Sequence, residues 1–416
     1  MIKKADSQSR RITIAEPEIG TVFGDEELEA IRAALSNRKQ TLSWGEEVTA
    51  FERDFAAYCG VQHAIAVSSC TAALDLCAEA LRLGPGDEVI STPQTFWSTI
   101  RALVARGVKI RFADIEPDTL NMDWRTVERL VTKQTKAIYV VHYGGNPADL
   151  DSLRAIARHF RIALVEDCAH APGARFRGAR IGAGELCCFS FQSYKNITTL
   201  GEGGMVTTDN PELADRLRIL HSVGVVGEYR RRAESSMGPY RKPDFDLMDH
   251  SFGSWDFDLG DSVEVGSNRR MAAIPAAVGR VQLRKLDTLN SARRRVAERY
   301  DALVSRIAGL ERTRVREGDT SAWHLYTCFL APEAGVNRNE LLRFMQEERG
   351  IRMVLRYWPL HLQSVLRAAG HALGECPVCE RVWFELQINL PIGPAFDEKA
   401  IAAVVGALAE GMERCR

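Results

Sequence analysis

The chain has 416 residues, of which 45% are hydrophobic and 26% are charged. A chain of this size can bury a large core and divide into more than one lobe. Its formal net charge is −1, so its overall charge does not favour nucleic acid or an anionic membrane as a partner. The first residues are charged and lack an apolar signal core, and no apolar run reaches the length of a membrane span. The sequence therefore predicts a cytoplasmic protein without a membrane anchor.

The first half of the chain alternates short apolar runs with helical patterns. Apolar spacing predicts two opening helices, within 25–35 and 48–58, and further helices after most of the apolar runs. The seven predicted strands are Ala64–Val67, Glu88–Thr92, Ile110–Ala113, Ala137–Val141, Ile162–Val165, Cys187–Phe191 and Met205–Thr208. This alternation is typical of an α/β domain with a mainly parallel sheet. Ligands of such sheets bind at the carboxyl ends of the strands.

The second half of the chain has a different pattern. Residues 224–267 lose the periodicity, which indicates a functional or disordered loop. One long helix is predicted over 275–300, followed by an α+β lobe with a strand at Trp323–Leu330, a helix at Asn337–Glu347 and a closing helix from Asp397. We expect an N-terminal arm (1–23), a large domain with a seven-stranded sheet flanked by helices (24–270), and a smaller α+β C-terminal domain (271–416).

The ten cysteines are scattered along the chain, unlike the dense pattern of a small secreted disulfide scaffold. Cys376 and Cys379 have the spacing of two zinc ligands, but the sequence offers no second pair to complete a tetrahedral site. We therefore expect no bound metal.

The turns after the first two strands carry hydroxyls and aromatic rings. Ser68–Thr71 precedes a helix, so its N–H groups and hydroxyls can bind an anion at the helix N-terminus, or its serine can simply cap the helix. Phe96 and Trp97 follow the second strand, where they can pack in the core or offer a flat surface to a ring.

The turns after two later strands carry an acid and an amine. Asp167 ends an apolar strand, and a buried carboxylate needs a partner, which can be the backbone or a heterocyclic cation. Lys195 follows the run that contains Ser190, and it is either a surface lysine with a buried stem or a reactive amine. Gly201–Gly204 is better explained as the turn that presents this lysine than as a phosphate loop.

These four features together match one cofactor. Pyridoxal phosphate needs a phosphate site, a surface for its ring, an anion against its pyridine nitrogen and a lysine that forms a Schiff base. Each of the four features is common alone. We expect all four to lie at the same edge of the sheet, and this combination indicates pyridoxal phosphate.

Seven stretches carry a resemblance to a known family: Phe51–Tyr58, Ser69–Leu74, Gly86–Ile90, Glu166–His170, Gly201–Gly204, Gly266–Met271 and Leu390–Pro391. Over nearly its whole length the chain resembles the DegT/DnrJ/EryC1/StrS group of pyridoxal-phosphate aminotransferases. The resemblance implies the aspartate aminotransferase fold, fold type I, and a homodimer with shared active sites.

The resemblance also implies residue roles. Lys195 would form the Schiff base and move the proton, Asp167 would keep the pyridine nitrogen protonated, and His170 would lie against the ring oxygen. Phe96 would stack on the ring. The phosphate would be held at the Ser69–Thr71 turn (Ser69, Cys70, Thr71), by Ser190, and by Asn268 of the partner subunit.

Two positions depart from the family pattern. Cys70 stands where a glycine is usual, so the phosphate turn would use other N–H groups. Arg269 replaces the usual aromatic residue and adds a positive charge near the partner's site, where it would meet either an acidic substrate group or a surface carboxylate.

The resemblance implies transfer of an amino group from glutamate or glutamine to a keto group. The acceptor would be a sugar (free, phosphorylated or nucleotide-linked) or a cyclitol, in the biosynthesis of amino-sugar or aminocyclitol antibiotics or of surface glycans. Trp44, Tyr143 and His361 lie in stretches that line the substrate side in relatives, although ordinary packing explains each of them equally well.

The sequence is compared with three alternatives to an aminotransferase. The first is a dehydratase or lyase on the same cofactor, and because related dehydratases carry a histidine in place of the lysine, Lys195 favours transamination. The second is a non-catalytic sensor, which would be expected to add a DNA-binding segment, and no basic helix-turn-helix pattern is evident. A Rossmann oxidoreductase is disfavoured because the glycines of 178–184 do not form a GxGxxG turn between a strand and a helix.

Overall fold

The computed structural model describes residues 13–15, 17, 19–37, 41–43, 45–226 and 261–416. Two features singled out in the sequence lie outside the described residues: Trp44, and positions 227–260 of the aperiodic segment.

The seven predicted strands form one sheet. In chain order the strands of this half are β1 (His63–Val67), β2 (Glu88–Ser91), β3 (Lys109–Phe112), β4 (Thr135–Val141), β5 (Ala163–Asp167), the separate hairpin β6 (Arg175–Phe176) and β7 (Ala179–Arg180), β8 (Leu186–Ser190) and β9 (Gly204–Thr208). The sheet order is β1-β9-β8-β5-β4-β2-β3. Within it β9 runs antiparallel to both neighbours and the other pairings are parallel. The prediction of a mainly parallel seven-stranded sheet is confirmed.

Helices follow the strands as the sequence indicates. In chain order they are α1 (Asp25–Ser36), α2 (Glu46–Cys59), α3 (Cys70–Ala80), α4 (Ser98–Ala105), α5 (Trp124–Leu130), α6 (Leu150–Phe160), α7 (Pro211–His221) and α8 (Ala273–Val304). Between α7 and α8, β10 (Val225–Val226) pairs with β11 (Asp261–Ser262). None of the helices in the described ranges has both the length and the apolar character needed to cross a membrane.

Both faces of the sheet are covered, and β8 illustrates the arrangement. Its alternate residues Leu186 and Cys188 pack in the core that contains α3, α4 and α7. Cys187 and Phe189 pack in the opposite core, which contains α2 and the first half of α8. Two-sided burial explains why the strands appear in the sequence as continuous apolar runs.

The C-terminal half forms a smaller α+β unit, as predicted. Its antiparallel sheet consists of β12 (Leu310–Arg312), β13 (Tyr326–Leu330) and β14 (Gln387–Leu390). Its helices are α9 (Arg338–Arg343), α10 (Ser364–Ala368), α11 (Pro377–Arg381) and α12 (Glu398–Arg414), and α9 and α11 each continue into a π-helical turn. Strand β13 begins at Tyr326 and not at Trp323 as predicted, because Trp323 has a φ of +48°, outside the extended range.

The long helix α8 connects the two halves of the chain. Ala276, Leu283 and Leu286 pack beneath the seven-stranded sheet, whereas Val296 and Tyr300 pack in the C-terminal core. The helix therefore belongs to both cores, and the proposed domain boundary near residue 271 stays a prediction.

Candidate active site

The carboxyl ends of β1, β5 and β8 meet at one edge of the sheet, and β9 starts there because it runs the other way. Ser69 caps α3 directly after β1: its Oγ accepts a 3.1 Å hydrogen bond from the N–H of Ala72. A Cβ on Gly204, the first residue of β9, would lie 2.5 Å from the carbonyl carbon of Ser69 and 2.6 Å from the nitrogen of Cys70. Only a glycine lets β9 pack this closely against the peptide that opens α3.

Asp167, the last residue of β5, is a buried carboxylate. Thr99 Oγ1 donates a 2.8 Å hydrogen bond to its Oδ2, and the N–H of Ala169 donates a 3.0 Å hydrogen bond to its Oδ1. Burial raises the pKa of the Asp167 carboxyl, and these hydrogen bonds and the charge of Lys195 counter the rise only in part. A cationic partner would therefore stabilise the ionised form of Asp167.

Lys195 lies half-buried in the loop between β8 and β9, and its charge reaches the other groups of the site. It lowers the pKa of the Asp167 carboxyl and of the His170 imidazole, where in each case burial is the larger influence. Gly20 is bound to this loop: its N–H donates a 2.8 Å hydrogen bond to the carbonyl of Ser193. A Cβ on Gly20 would lie 2.3 Å from the carbonyl oxygen of Lys195. The N-terminal segment thus packs directly on the backbone of the lysine.

His170 lies in the turn after β5, in contact with two other rings. Its Nδ1 accepts a 3.3 Å hydrogen bond from the N–H of Gly144, so Nε2 carries the proton and faces the hydroxyl of Tyr357 at 3.1 Å. Its ring centroid lies 4.2 Å from that of His324. Burial and the charge of Lys195 lower the pKa of His170 well below its usual value, so the ring is neutral at pH 7.

The residues predicted to hold a phosphate lie at the start of α3 and the end of β8. Thr71 Oγ1 donates a 2.8 Å hydrogen bond to Ser98 Oγ, and Ser190 is buried at the last position of β8. The N–H groups of Cys70 and Thr71 belong to the first turn of α3, where an intrahelical carbonyl cannot reach them. This turn therefore presents N–H groups and hydroxyls together.

The thiol of Cys70 is directed away from the start of the helix. Its Sγ lies 4.0 Å from Oδ1 of Asp167 and 3.6 Å from the carbonyl oxygen of Cys188. At the position where the family usually has glycine, the extra side chain thus packs beside Asp167.

Phe96 follows β2 at the same edge and is 57% exposed, so it is not a core residue. Its ring centroid lies 5.8 Å from that of Tyr357. The exposed face of Phe96 is therefore available to a planar ligand beside the His170–Tyr357 pair.

Three substrate contacts were expected. Trp44 lies outside the described residues, and the structure describes His361 and Tyr143. The side chain of His361 is wholly buried, with Nε2 2.8 Å from the Glu380 carboxylate, so it packs in the interior, and its role as a substrate contact stays a prediction. Tyr143 is also buried. Its hydroxyl donates to the carbonyl of Arg356 and accepts a 2.9 Å hydrogen bond from Gln387, so it supports the segment that carries Tyr357 and does not face the opening.

Asn268 and Arg269 lie on the stretch that leads into α8. Asn268 is exposed and pairs through its backbone with Ser222, and its reach into a partner subunit stays a prediction. Arg269 donates a 2.6 Å hydrogen bond to the carboxylate of Glu79 in the same chain. Of the two expectations for Arg269, the structure favours the protein carboxylate.

The sequence did not single out three residues of the site: Thr99, Tyr357 and His324. Thr99 follows β2 on the first turn of α4, so the rule that directs attention to strand ends would have found it. Tyr357 and His324 come from the C-terminal half, and their approach to the sheet edge depends on how the two halves pack, which local patterns do not reveal.

The groups at this edge fit pyridoxal phosphate. Free N–H groups and hydroxyls suit a phosphate, the exposed ring of Phe96 suits a planar heterocycle, and Lys195 supplies an amine. The most specific point is Asp167, whose buried carboxylate lacks full compensation and would be stabilised by a protonated ring nitrogen.

Comparison with known proteins gives the same family as the sequence motifs. Residues 22–409 match the DegT/DnrJ/EryC1/StrS aminotransferase family. The chain is 34% identical over 390 residues to the spore coat polysaccharide biosynthesis protein SpsC of Bacillus subtilis, covering 93% of this chain and 94% of that protein. It is 33% identical over 388 residues to the dTDP-3-amino-3,4,6-trideoxy-alpha-D-glucose transaminase of Streptomyces venezuelae, covering 92% of each.

A solved structure extends this likeness to the fold. The X-ray structure of S. venezuelae DesV in complex with a ketimine intermediate matches with a TM-score of 0.79 and 32% identity, over 94% of this chain and 95% of that chain. The family is pyridoxal-phosphate-dependent. The chain therefore belongs to the DegT/DnrJ/EryC1/StrS aminotransferase family and is an aminotransferase.

Proposed function

We propose that the protein uses pyridoxal phosphate to transfer an amino group from glutamate or glutamine to a keto group of a sugar or cyclitol. The observation that supports the proposal is that the charge of Lys195 acts on the buried Asp167 carboxyl, at the edge of the sheet where α3 begins. Two of the relatives, the spore coat polysaccharide biosynthesis protein and the transaminase of an amino sugar, support a sugar as the acceptor.

Different residues of this edge would contact different parts of the cofactor. The N–H groups of Cys70 and Thr71, the Ser69 turn and the hydroxyl of Ser190 would hold the phosphate. Phe96 would lie against the ring, and Asp167 would pair with the ring nitrogen. His170, whose Nε2–H points towards the Tyr357 hydroxyl, would lie beside the ring oxygen.

The chemistry then depends on moving one proton. When bound, the protonated ring stabilises negative charge at the carbon that loses this proton. Lys195 provides the amine that takes the proton from one carbon and returns it to another. Asp167 would keep its negative charge when paired with the ring nitrogen, and Thr99 holds the carboxylate in place through its hydrogen bond.

We further propose a homodimer in the cytoplasm. The first helix and the segment before it expose apolar side chains, namely Val22, Phe23, Leu28 and Leu35. Exposed apolar groups concentrated on one segment are typical of an interface. Asn268 is exposed, and, as the resemblance implies, it would reach the phosphate from the partner subunit.

The test is spectroscopic and then chemical. The purified protein should be yellow, and Lys195→Ala should abolish or shift its visible absorption. A protein that stays colourless after addition of pyridoxal phosphate would refute the proposal. Mixing the yellow protein with glutamate or glutamine should convert its spectrum to that of the amine form, whereas a dehydratase need not respond to an amino donor.

The acceptor is then identified with the donor-converted enzyme. Keto sugars, their phosphate and nucleotide forms, and keto cyclitols are each added, and return of the yellow spectrum marks an acceptor. If the protein bound the cofactor but responded to no donor, the non-catalytic sensor would be favoured instead.

A further inference from the structure

His324 is a second buried histidine at the site, and one of its nitrogens lacks a partner. It precedes β13, is 3% exposed, and lies with its ring against that of His170. Its Nε2 is buried and makes no hydrogen bond within the described part of the chain. A buried polar atom without a partner is costly, so this one requires an explanation.

A chain of amides determines which nitrogen of His324 carries the proton. Asn196 Nδ2 donates 2.8 Å hydrogen bonds to Asn290 Oδ1 and to the carbonyl of Ala322, and Asn290 Nδ2 donates a 2.8 Å hydrogen bond to the carbonyl of Pro172. The Asn196 amide therefore presents its oxygen to Nδ1 of His324, at 3.2 Å. Nδ1 must donate, so Nε2 is left with a lone pair.

Burial and the groups around His324 keep its imidazole neutral. Burial lowers the pKa of His324 well below its usual value, and His170, Lys195, Arg293 and Arg356 lower it further. These groups come from the turn after β5, the β8–β9 loop, α8 and the segment before α10. The lone pair on Nε2 therefore persists at neutral pH.

The same network fixes the lysine. Asn196 directly follows Lys195 in the chain, so the hydrogen bonds that orient the Asn196 amide also fix the backbone that carries the amine. One set of contacts thus holds both the backbone next to Lys195 and a neutral hydrogen-bond acceptor at the site.

We propose that His324 is a positioning residue for Lys195: during the reaction the lysine amine donates a hydrogen bond to His324 Nε2, which has no partner within the described structure. The inference rests on the proposed function, in which Lys195 moves a proton as a neutral amine. An amine that donates one N–H to a fixed acceptor has its own lone pair directed elsewhere, and that lone pair is the group that removes the proton. The donated hydrogen stays on the lysine nitrogen, because an imidazole surrounded by cations is a weak base.

The tautomer is measured first, in the full-length protein. Histidine labelled with ¹⁵N is incorporated, and NMR spectra are recorded with and without pyridoxal phosphate, using His324→Gln to assign the signal. We expect Nδ1 protonated and Nε2 unprotonated from about pH 6 to 9, the range in which an ordinary histidine changes charge. A proton on Nε2 would overturn the proposal.

The second measurement separates positioning from packing. His324→Phe keeps a ring and removes the acceptor, whereas His324→Gln keeps an acceptor oxygen. In single turnovers with glutamate carrying hydrogen or deuterium at the α carbon, we expect the Phe variant to slow proton removal by about 10- to 100-fold. This loss is smaller than the roughly 10²–10⁴-fold that an acid–base group itself contributes, because His324 only positions the amine. Its isotope effect should rise, its affinity for glutamate should change little, and His324→Gln should recover part of the rate.

His63→Gln is the matched control. His63 begins β1 at the opposite edge of the sheet, and its Nε2 is also buried without a partner in the described residues, so we expect the wild-type rate and isotope effect. Equal rates in the Phe variant and the wild type, or equal losses in the Phe and Gln variants, would overturn the proposal. If the Phe variant does not fold, the tautomer of the wild type decides. A protein that binds no pyridoxal phosphate would instead refute the proposed function. The tautomer of His324 can still be measured in the cofactor-free protein, so failure of the proposed function is distinguished from failure of the His324 proposal.

Discussion

The hydroxyl of Thr99 donates a 2.8 Å hydrogen bond to Oδ2 of Asp167 and thereby ties the first turn of α4 to the end of β5. Thr95 Oγ1 lies 2.8 Å from Thr99 Oγ1. Because Thr99 gives its hydrogen to the carboxylate, it accepts the hydrogen of Thr95. The two hydroxyls form a short chain that ends on Asp167 and favours its ionised form.

Removing the Thr99 hydroxyl should destabilise the protein. In Thr99→Val the shape is kept, but the Asp167 carboxylate loses a donor and the Thr95 hydroxyl loses its acceptor. We expect the free energy of unfolding in urea to fall by about 1–3 kcal/mol at pH 8, the cost of leaving a buried group unsatisfied. Thr99→Ser keeps the hydroxyl, and an equal loss in this variant would show that volume matters more than the hydrogen bond.

Asp167→Asn should have opposite effects on stability and activity. A folded-state pKa raised by burial stabilises the protonated protein, and this contribution is lost as pH rises through the folded pKa. At pH 8 the cofactor-free Asn variant should therefore melt at a higher temperature than the wild type, with the difference narrowing towards pH 4.

Cofactor-loaded Asp167→Asn should be about 10- to 150-fold less active, the equivalent of a hydrogen bond between charged groups. Thermal melts across the pH range and steady-state rates measure the two effects. A variant that melted below the wild type at pH 8 would contradict the reasoning.

Gly204→Ala tests the close approach of β9 to α3. The added methyl group would meet the Ser69–Cys70 peptide at about the distances given above, so the strand or the helix must shift. We expect a loss of about 1–3 kcal/mol, typical of overpacking, and weaker binding of pyridoxal phosphate in a fluorescence titration. The control is Gly84→Ala, since a Cβ there has no atom within 4 Å in the described structure. Equal effects of the two substitutions would argue against a special fit at Gly204.

Tyr357→Phe should reduce activity without a large loss of stability. The hydroxyl faces Nε2 of His170 at 3.1 Å, and removing it should lower the rate by about 2- to 13-fold, the equivalent of a neutral hydrogen bond worth 0.5–1.5 kcal/mol. Tyr300→Phe is the comparison, because the Tyr300 hydroxyl bonds the carbonyl of Pro391 in the C-terminal core. Tyr300→Phe should lose stability and keep its activity. A loss of stability in Tyr357→Phe together with a loss of activity in Tyr300→Phe would contradict the roles assigned to the two tyrosines.

The large sheet was predictable because each of its strands is an apolar run between helical patterns. The rule that ligands bind at the carboxyl ends of parallel strands then placed Asp167, Ser190 and the start of α3 together. These residues follow strands directly, so their positions depend only on local structure and on the order of the sheet.

Contacts made across the two halves of the chain were not predictable in the same way. His361 belongs to a motif-like stretch, but its buried partner Glu380 has no signature in the sequence. His324 and Tyr357 reach the site only because β13 and the segment before α10 pack against the edge of the large sheet. A resemblance can name such residues, whereas spacing along the chain cannot show which way their side chains point.

The packing of the N-terminal segment on the lysine loop has a consequence for synthesis. Arg293 donates a 2.6 Å hydrogen bond to the carbonyl of Gly20, across 273 residues of chain. During translation Gly20 leaves the ribosome long before Arg293 exists, so this hydrogen bond forms only after most of the protein has been made. The seven strands of the large sheet can pair earlier, since all of them precede α8. Truncated chains that end before Arg293 would then lack this anchor for the segment that packs on the loop of Lys195.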